Sequence, residues 1–217
     1  MTHKKISRVL IIDDHPLFRK GASQLFDLDE RFELVAEATC GRDGIELATR
    51  LKPDLILLDM NMADLDGIQT LKAMRQSGIK SIIIMLTVSN AEKDLVAAMR
   101  QGADGYLLKD MEPEEILDKL CGAVSGQTAL SDEMTSLLIH SMREDNHTQN
   151  VDEAALTDRE EEILALIAKG MSNKLIAREL DITEGTVKVH VKNLLRKLNL
   201  NSRLEAAVWA LDNVFKR

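Results

Sequence analysis

Aromatic residues are scarce in this 217-residue chain: one Trp, one Tyr and four Phe make up 3% of it. Proteins that grip unpaired nucleic-acid strands stack bases on exposed rings, so the scarcity weighs against that class. Cysteine is nearly absent, and Cys40 and Cys121 stand far apart with no His or Cys at metal-ligand spacing. That excludes a zinc cluster or a disulfide framework, and the expectation is two buried thiols in a reducing compartment. No apolar run approaches the roughly 20 residues of a membrane helix. The opening segment, Met1 to Ser7, is too short and polar for a secretory leader. These absences point to a cytoplasmic protein with no membrane partner. A positive excess is missing too: 28 Lys and Arg face 36 Asp and Glu, for a net charge of -8. Spread evenly, that charge would argue against DNA.

What is present is ample core material, with 45% apolar residues, and a clear change of pattern along the chain. Strands are expected at 8–12, 32–36, 54–58, 81–87 and 105–108. Amphipathic helices are expected at 16–28, 41–51, 66–77, 91–101 and 113–125. Runs such as Val9-Leu10-Ile11-Ile12 and Leu55-Ile56-Leu57-Leu58 are apolar on both faces, as in a parallel sheet covered on each side. Five such units predict an α/β doubly wound, five-stranded parallel sheet in the order 2-1-3-4-5.

Beyond it, residues 131–142 suit one more amphipathic helix, and 143–152 have little to bury and read as a linker. Residues 156–217 carry no strand signal and divide into four helical segments. Thr157-Asp158-Arg159-Glu160 and Ser202-Arg203-Leu204-Glu205 are capping boxes, Ser172 and Thr183 suit N-caps, and Gly170 suits a helix end. The expected division is a domain at 1–130, a helix and acidic linker at 131–155, and an all-α domain at 156–217. Charge follows the same division. Residues 1–130 hold 16 basic and 21 acidic groups, 131–155 hold one and six, and 156–217 hold 11 and nine. The positive excess therefore lies wholly in the helical tail.

In an open α/β sheet, ligands bind outside the carboxyl ends of the strands. Asp13 and Asp14 end the first expected strand, Asp59 the third, Thr87 the fourth and Lys109 the fifth. Strand order 2-1-3-4-5 brings them to one crevice. Crowded carboxylates repel unless a cation or protons offset them, and Mg2+ suits a few carboxylate and carbonyl oxygens plus waters. With the metal screening a phosphoryl donor, one carboxylate can attack phosphorus. Lys109 offers positive charge, and the Thr87 hydroxyl a hydrogen bond, to the phosphoryl oxygens.

The segments Ile12-Asp13-Asp14-His15-Pro16, Leu57-Leu58-Asp59-Met60-Asn61-Met62 and Gly105-Tyr106-Leu107-Leu108-Lys109-Asp110 resemble the receiver domain of bacterial response regulators. The resemblance spans residues 8–125. It implies that Asp59 accepts phosphate from the phosphohistidine of a sensor histidine kinase. It also implies that Asp14, Asp59 and the Asn61 backbone carbonyl hold Mg2+ with Asp13 beside them, and that Thr87 and Tyr106 form a switch pair. Propensity alone would read Tyr106 as strand packing, and His15, lacking partner His or Cys residues, reads as a turn residue. Ala63 stands where receivers usually carry Pro, four residues after the phosphorylated Asp, which bears on the rigidity of that loop and the lifetime of the phosphoryl group.

In the tail, residues 171–200 read helix, short turn, helix. Val187, Val191, Leu194, Leu195 and Leu198 form an apolar stripe, and Lys188, Lys192 and Arg196 recur every four residues on another face. Such lysines can reach guanine edges or phosphates in a major groove, and Val189 suits a thymine methyl. Lys174, Arg178 and Lys197 could touch the DNA backbone. By spacing alone this reads more readily as a solvated face. However, Leu156-Thr157-Asp158-Arg159-Glu160, Asn173-Lys174-Leu175-Ile176-Ala177 and Thr186-Val187-Lys188-Val189-His190 resemble the LuxR-type, four-helix helix-turn-helix domain. That likeness makes Lys188, Val189 and Lys192 the base-reading residues, and assigns dimer contacts to the last helix, with Ala206, Ala207, Val208 and Leu211.

The pairing of modules resembles the NarL/FixJ family of two-component response regulators, in particular its nitrate/nitrite-responsive members. It implies a phosphorylation-switched transcription factor, not an enzyme, that binds double-stranded DNA as a homodimer. Two other readings stay open: a Mg2+-dependent aspartyl-phosphate phosphohydrolase, and a receiver whose tail binds protein.

Overall fold

Strands and helices alternate from the start, and the computed structural model describes residues 6–89, 91–127, 129–130, 134, 156–198, 200 and 202–213. The first domain runs β1 (Ser7–Ile12), α1 (Pro16–Asp27), β2 (Phe32–Ala38), α2 (Gly41–Leu51), β3 (Leu55–Asp59), α3 (Gly67–Gln76), β4 (Ile82–Thr87), α4 (Glu92–Arg100), β5 (Gly105–Leu108) and α5 (Pro113–Val124). A further strand, β6 (Ala129–Leu130), follows. The sheet order is β2-β1-β3-β4-β5-β6, parallel throughout. The expected order therefore holds, but the sheet has six strands rather than five. At its edge, β6 pairs Ala129 with Gly105 and Leu130 with Tyr106. Two residues are too few to show an alternation in sequence.

Side-chain alternation divides the core in two. Leu10, Ile12, Ile56, Leu58, Ile83 and Met85 face one way and pack with Ala48, Leu71, Met74, Leu95 and Ala98 from α2, α3 and α4. Val9, Ile11, Leu55, Leu57, Ile84 and Leu86 face the other way, against Ala22, Phe26, Ile116 and Leu120 from α1 and α5. Each fully buried Leu or Ile contributes about 1.5–3 kcal/mol. The helix expected at 131–142 and the linker at 143–152 lie outside the described residues, except Met134, which is helical and buried in the first cluster.

Cys40 and Cys121 form no disulfide, but both are half-buried rather than buried. Cys40 sits at the extended N-cap of α2 and Cys121 at the rim of the second cluster, so neither reaches a core centre.

The second domain runs α6 (Asp158–Ala168), α7 (Asn173–Glu179), α8 (Glu184–Lys197) and α9 (Arg203–Asn213). The Thr157/Glu160 capping box is complete, Ser172 and Thr183 cap α7 and α8, and Ser202 Oγ accepts from Glu205 N at 3.1 Å. Gly170 ends α6 with φ 73°, and Asp181 turns the chain into α8 with φ 52°, left-handed values that Gly and Asp adopt most readily. Ile163, Leu164, Ile176, Val187, Leu194 and Leu198 form the core together with Ala206. Ala206, expected at a dimer contact, is thus interior: α9 has to close this small bundle. Ala207 and Trp209 pack against the same cluster. The side chains of Val208 and Leu211 lie outside those described.

Candidate functional site

The parallel ladder continues past the strand ends, where Asp13 N donates to Ala38 O and Lys109 N to Thr87 O. Alternation then puts Asp13, Asp59 and Lys109 in the rows of Ile11, Leu57 and Leu107, on the α1 and α5 side of the sheet. Thr87 and Tyr106 belong to the opposite rows, since Met85 pairs with Tyr106. The expected residues do converge. Lys109 Nζ lies 2.8 Å from Asp13 Oδ2 and 2.9 Å from Asp59 Oδ1. Asn61 N donates to Asp59 Oδ1 at 3.3 Å. Asp14 completes a cluster whose ligand atoms all lie within 4.8 Å of one another.

Asp13, Asp59 and Thr87 are fully buried, and so is Tyr106. Burial pushes the Asp59 carboxyl above the usual carboxylate range; the Lys109 hydrogen bond pulls it down and the charge of Asp13 pushes it up again. Burial also raises the Tyr106 hydroxyl to about 12, against a downward pull from Thr87. The Tyr106 hydroxyl has no fully formed hydrogen bond, while Thr87 Oγ1 accepts from Ser89 N at 3.1 Å.

Three carboxylate oxygens, Asp13 Oδ2, Asp14 Oδ1 and Asp59 Oδ2, are shut off from solvent and receive no hydrogen bond. The 2.8 Å approach of Lys109 to Asp13 Oδ2 is an ion pair without hydrogen-bond alignment. Three carboxylates against one ammonium leave a formal charge of -2. Hard oxygen donors and a double negative charge fit a divalent cation such as Mg2+.

Three neighbours were not legible in the sequence. His15 Nδ1 lies 2.8 Å from Asp14 Oδ1, so this turn residue also belongs to the acidic cluster. Lys109 Nζ sits 4.9 Å from the centroid of the Phe18 ring. Gly67 presses on the site from α3: a Cβ there would come within 2.3 Å of the Asp59 carbonyl oxygen. Phe18 could have been noticed as a first-turn residue after the paired carboxylates, but its aim depends on where α1 lands.

On the helical domain, Lys188, Lys192 and Arg196 of α8 and Lys174 and Arg178 of α7 are exposed. Val189 is 58% exposed, high for a valine on a packed domain. Lys197 is different: its Nζ pairs with Glu160 Oε2 at 2.6 Å. Lys188 also borders a cleft of about 540 Å³ lined by Lys52, Asp54, Lys80 and Val124 of the first domain. No helix among the described residues is long and apolar enough to cross a membrane.

Residues 9–121 match the response regulator receiver domain, and residues 154–210 match the bacterial regulatory proteins of the luxR family. The chain is 50% identical over 209 residues to the nitrate/nitrite response regulator protein NarL of Escherichia coli K12, covering 96% of this chain and 97% of that one. It is 46% identical over 205 residues to the nitrate/nitrite response regulator protein NarP of the same strain, covering 94% of each. Among solved structures, the response regulator ChrA of a heme-sensing two-component system aligns with a TM-score of 0.52 at 32% identity, covering 96% of this chain and 98% of that one.

Proposed function

This chain belongs to the response regulators that join a receiver domain to a LuxR-type DNA-binding domain, and on that premise we propose that phosphorylation of Asp59 switches its binding to DNA. The observation that carries the reading is Asp59 itself, buried at the end of β3, 2.9 Å from Lys109 Nζ, with Oδ2 free of hydrogen bonds. A sensor histidine kinase presents a phosphohistidine. Asp59 attacks its phosphorus; the P–O bond forms as the P–N bond breaks, and the departing imidazole takes up a proton. Asp13, Asp14, Asp59 and the Asn61 carbonyl would hold Mg2+, which when bound offsets the carboxylate charge that would repel the phosphoryl oxygens. Lys109 then turns to a phosphoryl oxygen and Thr87 donates to another. Tyr106, beside Thr87 at the core, carries that movement into the fold as a shift of population.

Residues 1–130 serve as receiver, 131–155 as helix and acidic linker, and 156–217 as DNA reader. Lys188, Val189 and Lys192 face base edges, and Lys174, Arg178 and Arg196 the phosphates, of double-stranded DNA bound by a homodimer. In the resting state, the receiver and linker cover part of α8, a reading supported by the cleft that Lys188 shares with receiver residues. The names of the relatives suggest nitrate or nitrite as the input, and the site of action is the cytoplasm.

Incubation with Mg2+ and acetyl phosphate should add one phosphoryl group by intact mass, and none to Asp59→Asn. DNA affinity should rise with the donor in the natural protein alone. A donor-dependent rise retained by Asp59→Asn overturns the reading, and many turnovers of small phosphoesters would make the protein a phosphohydrolase.

A further inference from the structure

His15 occupies a position that neither packing nor capping explains. It is the N-cap residue of α1, yet its side chain makes no capping hydrogen bond. Pro16 follows it, and a residue before proline is pushed into extended backbone; His15 has φ -86° and ψ 107°. Its backbone N donates to Asp13 Oδ1 at 2.8 Å, which fixes the turn. These two constraints hold the imidazole over the carboxylates. Nδ1 lies 2.8 Å from Asp14 Oδ1, 3.4 Å from Asp13 Oδ1 and 3.6 Å from Asp59 Oδ2. Donor atoms about 3 Å apart suit neighbouring positions around an ion with bonds of about 2.1 Å.

The side chain is 65% exposed, so the opposite edge of the ring faces water. A neutral imidazole can therefore keep its proton on Nε2 and turn the Nδ1 lone pair inward. It adds no charge, so the -2 left by three carboxylates and Lys109 still matches one divalent cation. It does change the donor set. Carboxylates and carbonyls suit Mg2+, whereas imidazole nitrogen suits the later first-row transition metals.

We propose that His15 makes this a mixed nitrogen–oxygen site, one that takes transition-metal dications of the Co2+ to Zn2+ class through His15 Nδ1 as well as Mg2+ through oxygen. This rests on the reading of Asp13, Asp14 and Asp59 as metal ligands. The chain would then sense which divalent metal is available through a residue outside the carboxylate set.

Calorimetric titration of the full chain with CoCl2 and with MgCl2 tests it without any phosphoryl transfer. Replacing His15 by Ala or by Gln should weaken Co2+ binding about tenfold or more, in the range of losses seen when metal-site groups are removed, and change Mg2+ binding less than about threefold. The Co2+-loaded natural protein should show hyperfine-shifted imidazole ring protons that both variants lack. Equal effects on the two metals, or shifted imidazole resonances that survive in both variants, overturn the assignment. If Asp14→Asn and Asp59→Asn abolish Mg2+ binding in those circumstances, His15 alone falls. If they leave Mg2+ binding unchanged, the carboxylate site itself falls and His15 with it.

Discussion

Lys197, in the last turn of α8, reaches across the helical domain to Glu160 of the α6 capping box, Nζ to Oε2 at 2.6 Å. Glu160 Oε2 also accepts from Thr157 N at 2.9 Å, so one carboxylate ties the start of α6 to the end of α8. Burial pushes the Glu160 carboxyl up, but the hydrogen bonds from Lys197 and Thr157 outweigh it and hold it below its ordinary 4.5. A carboxyl lowered on folding contributes stability that is present above 4.5 and is lost as pH falls through the folded value. The gap in Tm between the natural protein and Glu160→Gln should therefore close on acidification below about pH 4.5. Lys197→Ala should cost about 1–2 kcal/mol at neutral pH, measured by urea unfolding.

The same ion pair separates Lys197 from the other basic residues of α8. Replacing Lys188 or Lys192 with Ala should weaken specific DNA binding by about 1–3 kcal/mol. Changing Lys197 should leave the slope of affinity against salt unchanged. Fluorescence anisotropy at several salt concentrations, on specific and scrambled duplexes, distinguishes them. Loss of a base-edge contact at Lys188 or Lys192 lowers affinity for the specific duplex above all, whereas Lys197 contributes to neither duplex.

Asp59 stands in surroundings that raise its pKa: burial first, with Asp13 adding to it against Lys109. A raised carboxyl works against folding once pH passes upward through its range. Without divalent cations, Asp59→Asn should therefore melt higher than the natural protein near neutral pH, by about 2–4 °C for each kcal/mol relieved. The advantage should vanish in acid, where both side chains are neutral. Added Mg2+ should stabilise the natural protein more than the variant.

Phe18 holds Lys109 from beside the carboxylates, its ring centroid 4.9 Å from Nζ, and a ring under an ammonium is worth about 0.5–2 kcal/mol when partly desolvated. Phe18→Leu should slow phosphorylation by acetyl phosphate by about twofold to thirtyfold, that interaction converted to a rate, and Phe18→Tyr should restore it. Equal rates for Leu and Tyr would mean that the ring acts by packing alone.

The two-domain architecture was legible because local signals agree with one another. Val9 to Ile12 and Leu55 to Leu58 are apolar at every position, as strands covered on both faces must be. Thr157, Ser172 and Thr183 each stand where a helix begins. The carboxylates and Lys109 could be placed because strand ends are positions in sequence, and a doubly wound sheet aligns them. β6 was invisible at two residues long. Ala206 looked like surface because small residues carry no mark of the side on which they pack.

The sequence alone determined the periodicities, the charge division and the motif residues, all of which depend on neighbours within a few positions along the chain. Tertiary structure alone decided the pairings across it. Helix spacing does not show that Lys197 has a partner, yet its ammonium is taken by a carboxylate 37 residues away while Lys192 faces solvent. His15 is likewise a turn residue by sequence, set locally over Asp13 and Asp14, and it comes within reach of Asp59 only when β1 and β3 lie side by side. Long-range pairings of this kind follow from where whole elements land, and no local pattern encodes that.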